Sequence, residues 1–148
     1  MPSPTTTDTG LAADLLSVVA RINRLATQRV TMQLPFAQAR LLSTIEDQGA
    51  ARISDLAALD HCSQPTMTTQ VRRLEDAGLV TRALDPADGR AVLISITDAG
   101  IAALAQVRTD RGAAIDPFLE RLDDADRRTL ADAIRVMRRL LDDAREQH

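Results

Sequence analysis

The chain has no lysine, no tryptophan and no tyrosine, two phenylalanines and a single cysteine. Each shortage excludes something. With almost no aromatic rings, stacking on unpaired bases is a poor binding mode, so single-stranded nucleic acid is a weak candidate ligand. One cysteine rules out an intramolecular disulfide framework and fits a reducing compartment. No apolar run nears the roughly 18 residues of a membrane span. The Pro/Thr-rich start, residues 1–10, has no apolar signal-peptide region and reads as a disordered tail on a cytoplasmic protein. Because lysine is missing, all 18 basic residues are arginine, the better side chain for bidentate contact with phosphate or guanine. A GC-rich genome is the plainer cause of that bias.

What is present supports a packed helical domain. An apolar fraction of 45% suffices for a core built from Leu, Ile, Val, Ala and Met. Residues 11–28 carry Leu11, Leu15, Val18, Val19, Ile22 and Leu25 at helical spacing. A second helix is expected from Pro35, ended by Gly49, and a short third after Ser54 as N-cap. A fourth follows Ser63, with Met67, Val71 and Leu74 as its inward stripe and Gly78 closing it. Residues 79–84 and 91–96 read as strands, with Asp88-Gly89 as the tight turn between them. A long helix starts near Asp98, weakened at Gly112 and kinked or broken at Pro117. Asp123 and Asp126 suit the start of a last helix.

The net charge of −3 and pI near 5.3 count against DNA as whole-chain totals, but contact depends on where charges lie. From His61 to Arg73 there is no acidic residue. With Met67, Val71 and Leu74 inward, Thr66, Thr69, Arg72 and Arg73 face out, Thr68 and Gln70 flank them, and Gln64 lies nearer the core side. Thr and Gln bond base edges or phosphate, and a Thr methyl meets the thymine methyl. Such a helix suits the major groove of double-stranded DNA, with Ser63 and Gln64 at its entering end. Behind it, Arg90 at the hairpin tip suits a narrow minor groove, with Asp88 placed to orient its guanidinium. Arg82 reaches either phosphate or Asp85, and the spacing does not choose between them.

The run Ser54-Asp55-Leu56-Ala57, Leu74-Glu75-Asp76-Ala77-Gly78-Leu79-Val80, Asp85-Pro86-Ala87-Asp88-Gly89-Arg90 and Thr97-Asp98-Ala99-Gly100 resembles the MarR family of bacterial transcription regulators. The likeness spans nearly the whole chain. The wing pattern Asp-Pro-x-Asp-x-Arg followed by Thr-x-x-Gly is its most specific part. Leu34-Pro35, where the family often has Leu-Thr, is a departure that leaves the expected fold intact.

The resemblance implies a mainly α fold with a small β-hairpin wing. Residues 35–100 would form a winged helix-turn-helix, and residues 11–34 and 101–148 helices that interlock a homodimer. It implies a repressor of pseudo-palindromic operators, relieved by a small lipophilic or aromatic effector, with no cofactor. It places Thr68, Thr69, Arg73 and the wing residue Arg90 against DNA.

Two other uses fit the residues. A winged helix can serve protein–protein contact, which the acidic pI favours. Cys62, just before the fourth helix, is placed for thiol redox sensing, although a small residue packing under the helix is the plainer reading. His61 is a candidate phosphate contact. His61-Cys62 lacks the further ligands of a zinc site, and no phosphate loop or nucleophile motif points to an enzyme.

Overall fold

The computed structural model describes residues 9–31 and 33–147. In chain order the elements are α1 (Thr9–Gln28), α2 (Phe36–Gln48), β1 (Ala50–Ala51), α3 (Ile53–Leu59), α4 (Gln64–Asp76), β2 (Val80–Leu84), β3 (Val92–Ile96), α5 (Asp98–Leu119) and α6 (Asp124–Glu146). The expected class, mainly helical with a small wing, is the one found. β1 is an addition. It pairs antiparallel with β3, so the sheet order is β1-β3-β2, with Ala51 opposite Ile94 and Val80 opposite Ile96. Most of the expected tail, residues 1–10, lies outside the described residues, but its last two belong to α1.

The described residues fall into two units, up to Arg111 and from Gly112 onward. The first holds the core. Leu42 and Ile45 of α2, Leu56 of α3, Met67, Val71 and Leu74 of α4 and Ile94 of β3 are fully buried. Burying each such side chain contributes about 1.5–3 kcal/mol, before the entropy of ordering it is subtracted. The inward stripe of α4 is therefore the one its spacing predicts.

Helix ends decide how α4 and the sheet meet. After α4, Gly78 takes φ +73, a left-handed conformation that costs glycine nothing. The Leu79 amide donates to the Leu74 carbonyl and the Gly78 amide to Glu75, a Schellman ending that turns the chain into β2. The start of α5 is fastened to this turn. Thr97 Oγ1 donates to the Gly78 carbonyl at 2.7 Å and accepts from the Gly100 amide at 3.1 Å. Thr97, not Asp98, is thus the cap of α5. Gly100 lies so close to the turn that a Cβ there would sit 2.2 Å from the Leu79 carbonyl oxygen. The Thr-x-x-Gly pattern has this geometry as its cause.

Two other expectations at helix ends need correction. Ser54 lies inside the first turn of α3, and the residue before the helix is Arg52, which makes no side-chain cap bond. Pro117 does not break α5, which runs on to Leu119.

In the second unit, Asp123 caps α6 as expected, accepting from the Asp126 amide at 2.8 Å. Arg127 donates to the carbonyls of Glu120 and Leu122 just after α5. No residue of α6 is buried. Leu140 and Leu141 are 54% and 63% exposed, and in the first unit Leu11 and Leu16 of α1 are 67% and 70% exposed.

Candidate nucleic-acid interface

Between α3 and α4 the chain makes a tight turn through Asp60, His61, Cys62 and Ser63. His61 takes φ +51, the only non-glycine residue at positive φ among the described residues. Histidine tolerates that region better than most side chains but still costs about 1 kcal/mol there. The Cys62 amide closes the turn on the Ala57 carbonyl. Cys62 itself is half-buried and packs against the core.

α4 begins as expected. Ser63 is the N-cap, its Oγ accepting from the Thr66 amide at 3.3 Å and sharing a 2.8 Å hydrogen bond with the Thr66 hydroxyl. Pro65 fits the first turn, where its missing amide removes no intrahelical bond. Thr68 donates its hydroxyl to the Gln64 carbonyl at 2.8 Å, and Thr69 donates to Pro65 at 3.1 Å. With those protons committed to the backbone, each threonine offers outward an acceptor oxygen and a methyl group. Such a surface suits an amino donor or a thymine methyl on a base edge.

The outward face is as the wheel places it, with one change. Ser63, Thr66, Thr68, Thr69, Arg72 and Arg73 are exposed and Gln70 is half-buried, while Gln64, expected nearer the core, is exposed as well. Arg72 and Arg73 enter no ion pair among the described residues. A neighbour that does is Arg82 of β2, whose Nε donates to both carboxylate oxygens of Glu75 at 3.0 and 2.8 Å. Asp85, the expected protein partner of Arg82, is paired with Arg52 instead. Glu75 lies one turn beyond Val71 on α4, against the strand, and reaches Arg82 first.

The wing differs most from its sequence reading. The loop is longer than a two-residue turn, because the Asp85 amide donates to the Ala91 carbonyl at 2.9 Å. Within it the Ala91 amide bonds the Asp88 carbonyl, and Gly89 is not among the residues at positive φ. Asp88-Gly89 is therefore not the tight hairpin turn that its composition signals. Nor does Asp88 hold the Arg90 guanidinium. Its Oδ1 accepts from the Arg90 backbone amide at 3.1 Å, while its Oδ2 lies 4.0 Å from Arg52 Nη2. Arg90 is exposed and enters no ion pair among the described residues.

The residue that sequence reasoning missed is Arg52. Its Nη2 donates to Asp85 Oδ2 at 2.8 Å, and Asp85 is 12% exposed. The hydrogen bond to Arg52, aided by the Ala87 amide, holds the Asp85 carboxyl below the ordinary carboxylate range. The same bond raises the Arg52 guanidinium further above neutrality. No local sequence signal joins two residues so far apart in the chain.

Among the described residues, no three His, Cys, Asp or Glu side chains gather as a metal site needs. No helix there is long and apolar enough to cross a membrane.

Residues 34–92, the segment carrying this helix and the start of the returning strand, match the model of the MarR family. An HTH-type transcriptional regulator of Mycobacterium tuberculosis is 31% identical over 138 residues, 93% of this chain and 96% of that protein. A transcriptional regulator of Thermotoga maritima superposes with a TM-score of 0.73 at 23% identity, covering 93% of this chain and 97% of that one. BpsR of Bordetella bronchiseptica, whose DNA binding is regulated by 6-hydroxynicotinic acid, superposes with a TM-score of 0.55 at 24% identity, covering 90% and 96%. With the winged helix-turn-helix and its exposed arginines in place, the chain belongs to the MarR family of DNA-binding transcription regulators and is not an enzyme.

Proposed function

We propose that the protein is a cytoplasmic, homodimeric repressor that reads a pseudo-palindromic operator and is released from it by a small aromatic acid. The observation that carries the reading is the contrast among the arginines. Arg52 and Arg82 are held by carboxylates, whereas Arg72, Arg73 and Arg90, on α4 and the wing tip, are exposed and enter no ion pair among the described residues. Guanidinium groups left open beside a hydroxyl-rich, acid-free helix face have phosphate and base edges as natural partners.

In this assignment α4 lies in the major groove, with Ser63, Gln64, Thr66, Thr68, Thr69 and Gln70 facing bases and backbone. Arg90 enters the flanking minor groove. Arg82 and Asp88 support the wing from within the protein. The apolar residues left bare on α1 and α6 support a second copy as their cover, because a monomer rarely leaves such stripes in water. A two-fold dimer sets its reading helices on half-sites about one helical turn, roughly 34 Å, apart.

Support for the effector comes from a cavity of about 260 Å³ lined by Asn23, Phe36, Arg40, Leu104, Arg108 and Arg111. Arg40 and Arg108 are committed to Asp60 and Glu46. Arg111 has no carboxylate partner among the described residues. It donates to Asn23 Oδ1 at 2.7 Å, lies 5.6 Å from the centre of the Phe36 ring, and keeps a buried Nε without a partner. An aromatic carboxylate would give the Arg111 guanidinium an anionic partner and Phe36 a ring, and 6-hydroxynicotinic acid, which regulates DNA binding of BpsR, is an aromatic acid.

Salt titration of DNA binding tests the reading. The logarithm of the binding constant should fall with the logarithm of salt by about 0.9 for each phosphate neutralised, and Arg72→Ala, Arg73→Ala and Arg90→Ala should each lower the slope. Binding that is indifferent to salt would defeat it. Added 6-hydroxynicotinic acid or benzoate should release the DNA, and an uncharged ring of the same size should not.

A further inference from the structure

We infer that Arg52 is a positioning residue for the wing: it gathers Asp85 and Asp88 from one side and so sets where Arg90 stands. The inference rests on the DNA-reading interface proposed above. Each of the two aspartates divides its work. Asp85 Oδ1 accepts from the Ala87 amide at 2.9 Å, and Asp88 Oδ1 accepts from the Arg90 amide at 3.1 Å, so one oxygen of each shapes the loop. The other oxygen of each faces Arg52, at 2.8 Å from Asp85 and 4.0 Å from Asp88. One guanidinium at the start of α3 thus holds the loop whose last turn carries Arg90.

The arrangement also settles a problem of charge. Two carboxylates beside a groove-seeking arginine repel phosphate. Arg52 supplies the second positive charge, so the two arginines balance Asp85 and Asp88, and Arg90 is the member of the four that enters no ion pair among the described residues. An exposed ion pair adds little to stability. Its geometry is the more useful product, because Arg90 reaches a groove only if the loop is fixed relative to α4. Arg52 is 42% exposed and lines a cleft with Ser54, Gln64 and Val92, so direct contact with phosphate is the competing role.

The sign of one substitution separates the two. Asp85→Asn removes a negative charge from the DNA-facing side. Electrostatics alone predicts tighter binding; a brace predicts weaker binding, because Arg52 loses its main anchor. Arg52→Ala, Asp85→Asn, Arg90→Ala and the double variant Arg52→Ala/Arg90→Ala are titrated onto a duplex that the wild-type protein has selected from a randomised library. Melts confirm that each variant is folded.

The brace predicts that Arg52→Ala and Asp85→Asn each weaken binding about tenfold, as coupled charged groups do, and that Arg52→Lys restores most of the loss. The double variant should bind no more weakly than Arg90→Ala alone, since Arg52 acts through Arg90. In the free protein, hydrogen exchange at the Ala87 and Arg90 amides should quicken in Arg52→Ala. Unchanged or tighter binding by Asp85→Asn, or additive losses in the double variant, would overturn the inference. A wild-type protein that selects no duplex would instead defeat the interface reading, and the exchange rates would still decide whether Arg52 holds the loop.

Discussion

Gly100→Ala sets two physical effects of opposite sign against each other. Gly100 stands in the first turn of α5 without a positive φ. On helix propensity alone, alanine should stabilise by up to about 1 kcal/mol. The structure predicts the reverse. An added Cβ would lie 2.2 Å from the Leu79 carbonyl oxygen and 2.7 Å from Ile96 Cγ1. The first of these is backbone, fixed by the Thr97 amide that donates to the same oxygen at 3.0 Å, so no side-chain rotation relieves the clash. Overpacking of this kind costs about 1–3 kcal/mol, which leaves a net loss of about 1–2 kcal/mol after the propensity gain is subtracted over most of that range. For a chain of this length each kcal/mol moves the melting temperature by about 2–4 °C, so the melt should fall by roughly 2–8 °C. Circular dichroism in a thermal scan, at fixed protein concentration because the assembly is dimeric in this account, measures it. A melting temperature equal to or above wild type would refute the close approach of α5 to the α4–β2 turn.

Other outcomes follow from the same structure. Leu74→Ala should destabilise by about 2–5 kcal/mol in urea denaturation, whereas Thr69→Ala on the opposite face should change stability by less than about 1 kcal/mol; equal effects would show that the α4 stripe is misplaced. His61→Gly should raise stability by a few tenths to about 1 kcal/mol, since glycine takes φ +51 without strain, and a clear loss would mean that the His61 side chain is itself a structural contact. The depressed pKa of Asp85 fixes the sign of a pH effect. Its contribution to folding is complete above the ordinary carboxylate pKa near 4 and fades as pH falls through the lower folded value. Carbon-13 titration of the Asp85 carboxyl should therefore give a midpoint below that of a free aspartate, and a midpoint at or above it would remove the Arg52 pairing from solution.

Much of the reading helix is legible in the chain because its determinants are local. Met67, Val71 and Leu74 repeat at helical spacing, Ser63 has the hydroxyl that a cap needs, and Gly78 can take the left-handed turn that ends α4. The wing strands show in their alternation, but the loop between them does not. Asp88-Gly89 has the composition of a tight turn, yet the bonds of Asp85 to Ala91 and to Arg52 spread the turn over more residues. What the chain hides is pairing across space. Arg82 meets Glu75 and Arg52 meets Asp85 only once β2 and β3 have packed beside α3 and α4. β1 is two residues long, too short to carry any periodicity, and exists because β3 offers it a partner. At helix starts, Ser54 and Asp98 look like caps by type, but the neighbouring Arg52 and Thr97 occupy those positions.

In the proposed function, two copies of this chain read DNA together through α4 and the wing. Selection of bound duplexes from a randomised library, with footprinting of the winners, tests it most directly. The expected winner is a pseudo-palindrome whose half-sites lie about one helical turn apart, bound by two chains per duplex, with protection lost at the flanking minor grooves in Arg90→Ala. Enrichment of no sequence, or of a single unpaired half-site bound by one chain, would contradict it.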